Sequence, residues 1–383
     1  MSKKKKMTTE EKKLKSKDTI ADLVRAINEE HGGEVVKVAS DESLIPKYLP
    51  TPFPSLNSLM KGLPLGRFLT VAGPSKCGKT ALLYQIIAKH QADNLEAIAV
   101  WLDFENSYDP EWATKLGVDL SRLMVLKYQI ETVESMEPVL DRLVTILRKH
   151  VVMLVVMDSI GAMVPKGDIV DKKGDRSFSK DNMLNLQTKL GEIYRKLNTL
   201  IASTREFPGV CVAMIGHVYQ VPNKQGLHIT EIRGGNALKH WSTQILEMKR
   251  GPRDDGPDPV KVIAPDGSTQ TIRPGFAVKL KLGKSKVNEN ESQEIQMRFY
   301  TGRGFDFVRS TVTAALALGI IEGKGWYKSS LLPDGRMQGA DNVLKFFEEN
   351  ADAYSKLAGL VDQQSAEKPT ETKETSNHEH QEN

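Results

Sequence analysis

Between about residues 56 and 302, short and almost continuously apolar runs alternate with longer stretches in which apolar residues recur every three or four positions. The runs at 68–72, 97–102, 151–157 and 210–215 predict strands buried on both faces. The periodic stretches at 81–87, 133–150 and 184–202 predict amphipathic helices. Strands and helices in this alternation specify an α/β fold with a mostly parallel central sheet covered on both faces. The pattern then changes. Residues 261–264 and 269–273 flank Pro265-Asp266-Gly267, a hairpin signal, and 276–282 and 295–301 read as further antiparallel strands. Beyond Gly304 helical spacing returns at 310–318 and 342–350, which predicts a small C-terminal α/β domain over 304–361.

The ends read differently. Ile20, Leu23, Val24 and Ile27 predict a helix over 18–31 capped by Asp18 or Thr19, and 34–39 has the look of a short strand. A lone helix and strand cannot cover their own apolar sides, so the segment 18–55 is expected to dock elsewhere, a second copy of the chain being one candidate. Residues 1–17 hold eight Lys and two Glu with almost nothing apolar, which predicts a disordered basic tail. Residues 362–383 hold six acidic residues and two Lys without periodicity, a disordered polar and acidic tail.

Composition narrows the class. A net charge of +4 over 383 residues does not by itself imply a polyanionic partner. Two cysteines, Cys77 and Cys211, exclude a disulfide framework and a zinc ribbon and point to a reducing compartment. No apolar run reaches the roughly 18 residues of a membrane span, and the Lys-rich start has no apolar stretch after it, unlike a secretory signal. A cytoplasmic location is the expectation.

Residues 73–80 read Gly73-Pro74-Ser75-Lys76-Cys77-Gly78-Lys79-Thr80, the G-x-x-x-x-G-K-[ST] pattern, set between a predicted strand and a predicted helix. Such a loop wraps a polyphosphate with its N–H groups and aims a helix N-terminus at it; without that context the same glycines would make an ordinary turn. Lys79 would reach the β- and γ-phosphates, and Thr80 would place its hydroxyl on Mg²⁺. The strand at 151–157 is followed by Asp158-Ser159, and a carboxylate there can hold Mg²⁺, usually through water, or simply begin a turn. The strand at 97–102 runs into Asp103-Phe104-Glu105-Asn106. Glu105 is by position equally a water-activating base and a surface carboxylate.

Further segments carry a resemblance. They are Gly62-Leu63-Pro64-Leu65-Gly66-Arg67, Leu102-Asp103-Phe104-Glu105-Asn106-Ser107-Tyr108-Asp109-Pro110 and Lys115-Leu116-Gly117-Val118-Asp119. Asp158-Ser159-Ile160-Gly161-Ala162, Gly234-Gly235-Asn236-Ala237-Leu238-Lys239, Gly302-Arg303-Gly304-Phe305-Asp306-Phe307 and Gly325-Trp326-Tyr327 continue the series. In this order, from about Lys47 to Asp352, the chain resembles the RecA recombinase family. Ala72-Gly73-Pro74-Ser75-Lys76 and Gly216-His217-Val218-Tyr219 are similar to its phage branch, the UvsX-like recombinases. The resemblance implies a RecA-like P-loop ATPase core over 56–303 using ATP and Mg²⁺. It implies that Glu105 is the catalytic carboxylate and that Asp109 and Trp112, the latter in place of a Tyr, lie near the adenine. His217 stands where bacterial members carry a γ-phosphate-sensing Gln, and Lys284 and Lys286 match a pair that reaches the neighbouring subunit's ATP. Read from composition alone, those lysines are an ordinary solvated strand edge.

Two long polar segments, 165–181 and 219–233, follow strands of this core. Their basic residues suit phosphate contacts, and Phe178 and Val221 suit wedging between unpaired bases. In the family such loops grip single-stranded DNA; here the first is longer and more basic and the second lacks a Phe. DNA contacts are therefore expected at Arg176, Phe178, Lys180, Val221, Arg233, Gly234 and Gly235, and at Arg195, which can equally be helix-surface charge. The basic tail is either solubilising or a DNA-contacting arm. The reading is a DNA-stimulated ATPase that forms a helical homo-oligomeric filament on single-stranded DNA and exchanges strands with homologous double-stranded DNA. A single-strand DNA-binding protein and a loading mediator are implied partners, with no membrane, in a bacterial cytoplasm or that of a phage's host. The alternatives are a hexameric RecA-fold helicase or translocase and a non-hydrolysing, ATP-clamped filament protein.

Overall fold

The structure, a computed structural model, describes residues 9–33, 35–126, 136–162, 181–203, 209–222, 228–232, 235–263 and 268–367. The chain divides into two units, Met1–Pro46 and Lys47–Asn383. The first holds α1 (Thr9–Glu30) and a 3₁₀ turn, Glu42–Leu44. The helix starts inside the tail expected to be disordered. Lys and Glu are good helix formers, and a segment without an apolar stripe leaves no periodicity to read. The strand expected at 34–39 does not form over 35–39. Instead the Asn28 carboxamide accepts the N–H groups of Val35 and Val36 at 2.8 Å each and donates to Val36 O at 2.9 Å. Those are the bonds a strand partner would otherwise satisfy. Ile20 and Leu23 of α1 are 50% and 60% exposed.

The second unit opens with β1 (Tyr48–Leu49), α2 (Pro54–Met60) and β2 (Leu63–Pro64), with β1 and β2 antiparallel. Leu49 and Phe53 are buried in the main core, so residues 47–55 belong to the second unit and the expected N-terminal segment 18–55 ends earlier, at Pro46. Next come β3 (Phe68–Gly73), α3 (Lys79–Asp93), β4 (Ile98–Asp103), α4 (Pro110–Lys115), β5 (Leu123–Leu126), α5 (Met136–Lys149), β6 (Val152–Asp158) and α6 (Asp181–Ser203). They are followed by β7 (Cys211–Pro222), β8 (His228–Ile232), α7 (Gly235–Trp241), β9 (Gln244–Arg250), β10 (Val260–Ile263), β11 (Thr269–Ile272), β12 (Gly275–Ser285), β13 (Glu294–Tyr300) and β14 (Gly304–Phe305).

One ten-stranded sheet organises the unit in the order β14-β13-β12-β9-β3-β7-β6-β4-β5, with β8 paired to β7. Strands β9, β3, β7, β6, β4 and β5 are parallel neighbours, while β12, β13 and β14 run antiparallel. Burial on both faces follows the strand period of two. Leu154 and Val156 pack with Leu82, Leu83 and Ile86 of α3, whereas Val155 and Met157 pack with Leu140 and Leu143 of α5 and Leu190 and Leu197 of α6. Trp101 is fully buried 4.5 Å from the Tyr84 ring, and truncating it would cost about 3–5 kcal/mol.

Two later segments differ from expectation. The second long loop, 219–233, is largely a hairpin: β7 runs past the sheet and pairs with β8, Val218 opposite Ile232 and Gln220 opposite Thr230. Pro222 at the end of β7 and the polar stretch after it hid the strand alternation. At the C-terminus, α8 (Phe307–Leu318), β15 (Trp326–Lys328), β16 (Arg336–Gln338), α9 (Ala340–Glu349) and α10 (Ala351–Glu367) build a separate apolar cluster. α10 continues past Asp362, where a disordered tail was expected, because Leu357 and Val361 anchor it in that cluster.

Candidate nucleotide site

Neighbouring parallel strands bring their C-terminal ends to one edge. Gly73 closes β3 opposite His217 of β7, and Asp103 of β4 lies opposite Asp158, the last residue of β6. An open parallel sheet collects ligand-binding groups at this edge. The phosphate loop leaves it from β3 and re-enters as α3. Gly78 caps the helix at φ +95°, a conformation glycine adopts without strain, and Lys76 sits at φ +60°. A side chain at Gly73 would strike Met248 O at 2.3 Å, so the loop can leave the sheet here only as glycine.

Lys79 is buried and donates to Gly73 O and Pro74 O, both at 2.9 Å, across the mouth of the loop. Burial draws its pKa down, opposed by Cys77, Asp158 and Glu105. Thr80 Oγ1 donates to Asp158 Oδ2 at 3.4 Å. Asp158 is only 3% exposed; burial first, then the Glu105 and Asp103 charges, push its pKa up to about 7. A buried carboxylate short of positive charge, beside a hydroxyl and the first turn of a helix, fits a hard divalent cation and a polyphosphate. The residues present therefore fit Mg²⁺ and a nucleoside triphosphate, with Thr80 and Asp158 toward the metal and residues 73–80 around the phosphates.

Glu105 stands just beyond β4. Its Oε1 accepts from His217 Nε2 at 2.9 Å and from Ser159 Oγ. The His217 bond, then the Ser159 bond and the His217 and Lys79 charges, hold its pKa below the usual carboxylate value against the opposing effect of burial. The turn that presents it is itself pinned. Buried Asp103 accepts the N–H groups of Ser107 at 3.0 Å and Tyr108 at 3.1 Å, while the N–H groups of Phe104 and Glu105 donate to Asp158 O at 2.7 and 3.3 Å.

The structure thus gathers Lys79, Thr80, Glu105, Asp158 and His217 in one site. Two residues that the sequence reading passed over belong with them: Ser159, which holds Glu105, and Asp103, which holds its turn. Ser159 directly follows Asp158, and Asp103 ends β4 two residues before Glu105; that proximity in sequence was the available signal. Other expected residues lie in different bonds. Asp109 caps α4 by accepting Trp112 N–H at 3.1 Å, and Trp112 packs against the main core. Lys284 Nζ donates to Lys239 O, and Lys286 Nζ to His240 O at 2.8 Å, both on the last turn of α7. Arg195 is exposed on α6, Val221 pairs with Ile229 in the hairpin, and Gly235 begins α7. Arg176, Phe178, Lys180, Arg233 and Gly234 lie outside the described residues.

A phosphate loop between β3 and α3, with a carboxylate closing β6 in the same parallel sheet, defines a P-loop nucleotide-binding protein of the α/β class. The RecA N-terminal domain family matches residues 19–292. The RecA protein of Thermus aquaticus is 30% identical over 361 residues, covering 92% of this chain and 95% of that protein. Those of Nostoc punctiforme and Haemophilus ducreyi are 30% and 29% identical over 308 and 302 residues, or 78% and 77% of this chain and 75% and 71% of theirs. The chain belongs to the RecA family.

Proposed function

We propose that the chain is an ATP-dependent DNA strand-exchange recombinase of the phage UvsX-like branch. In this reading it forms a helical filament on single-stranded DNA and pairs that strand with homologous duplex. The observation that carries the proposal is the contact of Glu105 with His217, because His217 also opens the part of β7 that leaves the sheet as a hairpin. One residue thereby touches the hydrolytic carboxylate and begins the arm proposed to meet DNA. ATP with Mg²⁺ supplies the phosphoryl group that passes to water. Lys79 and the N–H groups of residues 75–80 hold the phosphates. Ser159 and His217 engage Oε1 of Glu105, leaving Oε2 to take the proton of the attacking water. Loss of the γ-phosphate would free His217 to change its bond to Glu105 and so bias the hairpin.

Lys284 and Lys286 are proposed to leave α7 for the neighbouring subunit's ATP, and α1 with exposed Ile20 and Leu23 to dock on another copy. A single-strand DNA-binding protein and a loading mediator are the accessory partners of this reading, in the cytoplasm of a bacterial host. Among the described residues no helix is long and apolar enough to cross a membrane. The test is the ATPase rate with and without single-stranded DNA, read beside electron micrographs of the same mixture. Hydrolysis stimulated by DNA together with helical filaments supports the proposal. Closed rings with duplex unwinding would favour a helicase, and filaments without turnover would leave only an ATP clamp.

A further inference from the structure

We infer that Arg250 is a positioning residue for the phosphate loop, a prop that holds the apex of the loop in its phosphate-binding shape. The inference rests on the nucleotide-site reading above. Arg250, the last residue of β9, donates from Nε at 3.2 Å and from its terminal nitrogen at 3.1 Å to the carbonyl of Lys76. Lys76 is the loop's non-glycine residue in the left-handed region, at φ +60°. Such a backbone is disfavoured for a residue with a side chain and persists where surrounding structure over-determines it. A charged two-donor bond to the carbonyl of that residue meets the requirement.

The prop is itself anchored. The Arg250 guanidinium lies 4.0 Å above the Phe276 ring; Phe276 stacks on Phe299 at 4.9 Å, and Phe299 meets Phe305 edge-on at 5.1 Å. The far end of this row returns to the same loop, since a side chain at Gly78 would strike the Phe305 ring at 2.9 Å. One aromatic row across β12, β13 and β14 therefore supports the loop at two points, through Arg250 at Lys76 and through Phe305 at Gly78. Arg250 touches a backbone oxygen on the loop and acts on the nucleotide only through it.

The test uses the full-length chain. Hydrogen exchange of amides 75–78 is followed without nucleotide, and binding of a fluorescent ATP analogue is measured without DNA. R250A and R250Q should exchange these amides at least ~10-fold faster and bind nucleotide about tenfold more weakly. KM should rise while kcat at saturating ATP stays within about threefold. R250K, with one charged donor, should recover part of the protection, and F276A should fall between wild type and R250A. Unchanged exchange in folded R250A and R250Q would overturn the inference. Weakened binding with unchanged loop exchange would overturn it too, by making Arg250 a direct phosphate ligand. A wild-type chain that fails to bind the analogue would sink the nucleotide reading, while the exchange measurement still judged the prop.

Discussion

The two halves of the central sheet do different work with the same backbone. In the parallel half, β3, β7, β6 and β4 all point their C-terminal ends one way, and buried Lys79 and Asp158 meet half-buried His217 and exposed Glu105 there. Burial at that edge pulls the lysine down against its neighbouring carboxylates, and burial together with the Glu105 and Asp103 charges raises Asp158. In the antiparallel half, strand ends alternate and no such edge can form. Half-buried Lys279 and Lys281 of β12 instead alternate with buried Val278, Leu280 and Leu282, and Lys279 pairs with Glu294 of β13 at 3.3 Å. Parallel strands concentrate charge into chemistry; antiparallel strands spread it over a surface and carry the aromatic row that props the loop.

The largest expected effect comes from breaking the parallel half. Lys79→Ala removes the buried charge spanning the loop and should abolish hydrolysis and weaken ATP-dependent DNA binding, measured by phosphate release and filter binding. Near-normal DNA-stimulated hydrolysis would dissolve the contrast between the halves.

A smaller effect sharpens the role of the antiparallel half. Within one chain Lys286 caps the C-terminal turn of α7, a helix-end interaction of about 0.3–1 kcal/mol. If that is its whole function, Lys286→Ala should lower Tm slightly and leave turnover on DNA intact. Action on a neighbouring subunit's ATP predicts the opposite: nearly normal folding and nucleotide binding by the free subunit, with poor hydrolysis on DNA. Mixing Lys286→Ala with Lys79→Ala subunits should restore some activity, since each supplies what the other lacks. No recovery in proven mixed filaments would count against action between subunits.

The smallest effect separates burial from chemistry. His90, near the C-terminal end of α3 and far along that helix from Lys79, has its pKa lowered by burial from 6.5 to about 4. Between these values the unfolded chain binds the proton more readily. The contribution is therefore complete above pH 6.5 and is lost as pH falls toward 4. Urea unfolding at pH 5 should show a loss of about 2 kcal/mol relative to pH 7.5, and His90→Gln should flatten that slope. A variant with the wild-type slope would remove His90 from the account.

Legibility in the sequence followed the same division. Strands β3, β4, β6 and β7 were readable because each carries a near-continuous apolar run, and Lys79 and Asp158 because one opens the helix after the phosphate loop and the other closes an apolar strand. Missing pieces were those defined by a partner distant in sequence. Nothing at Arg250 announces the Lys76 carbonyl, and nothing at Ser159 announces Glu105. Nor does the run after Ile215 show that β7 continues, because its partner β8 lies beyond Pro222 and is joined to it by a pairing that no local pattern announces. In α1 the first turns are built on Lys and Glu propensity, and Asn28 replaces a strand with three side-chain bonds.

Glu105→Gln on single-stranded DNA separates nucleotide and DNA binding from hydrolysis. Glutamine keeps the shape and a hydrogen-bonding group toward Ser159 and His217 but cannot take a proton from water. ATP and DNA binding should be retained, turnover should fall by at least ~100-fold, and filaments should outlast those of the wild type. Turnover within a few-fold of wild type would place the water-activating group elsewhere and contradict the account.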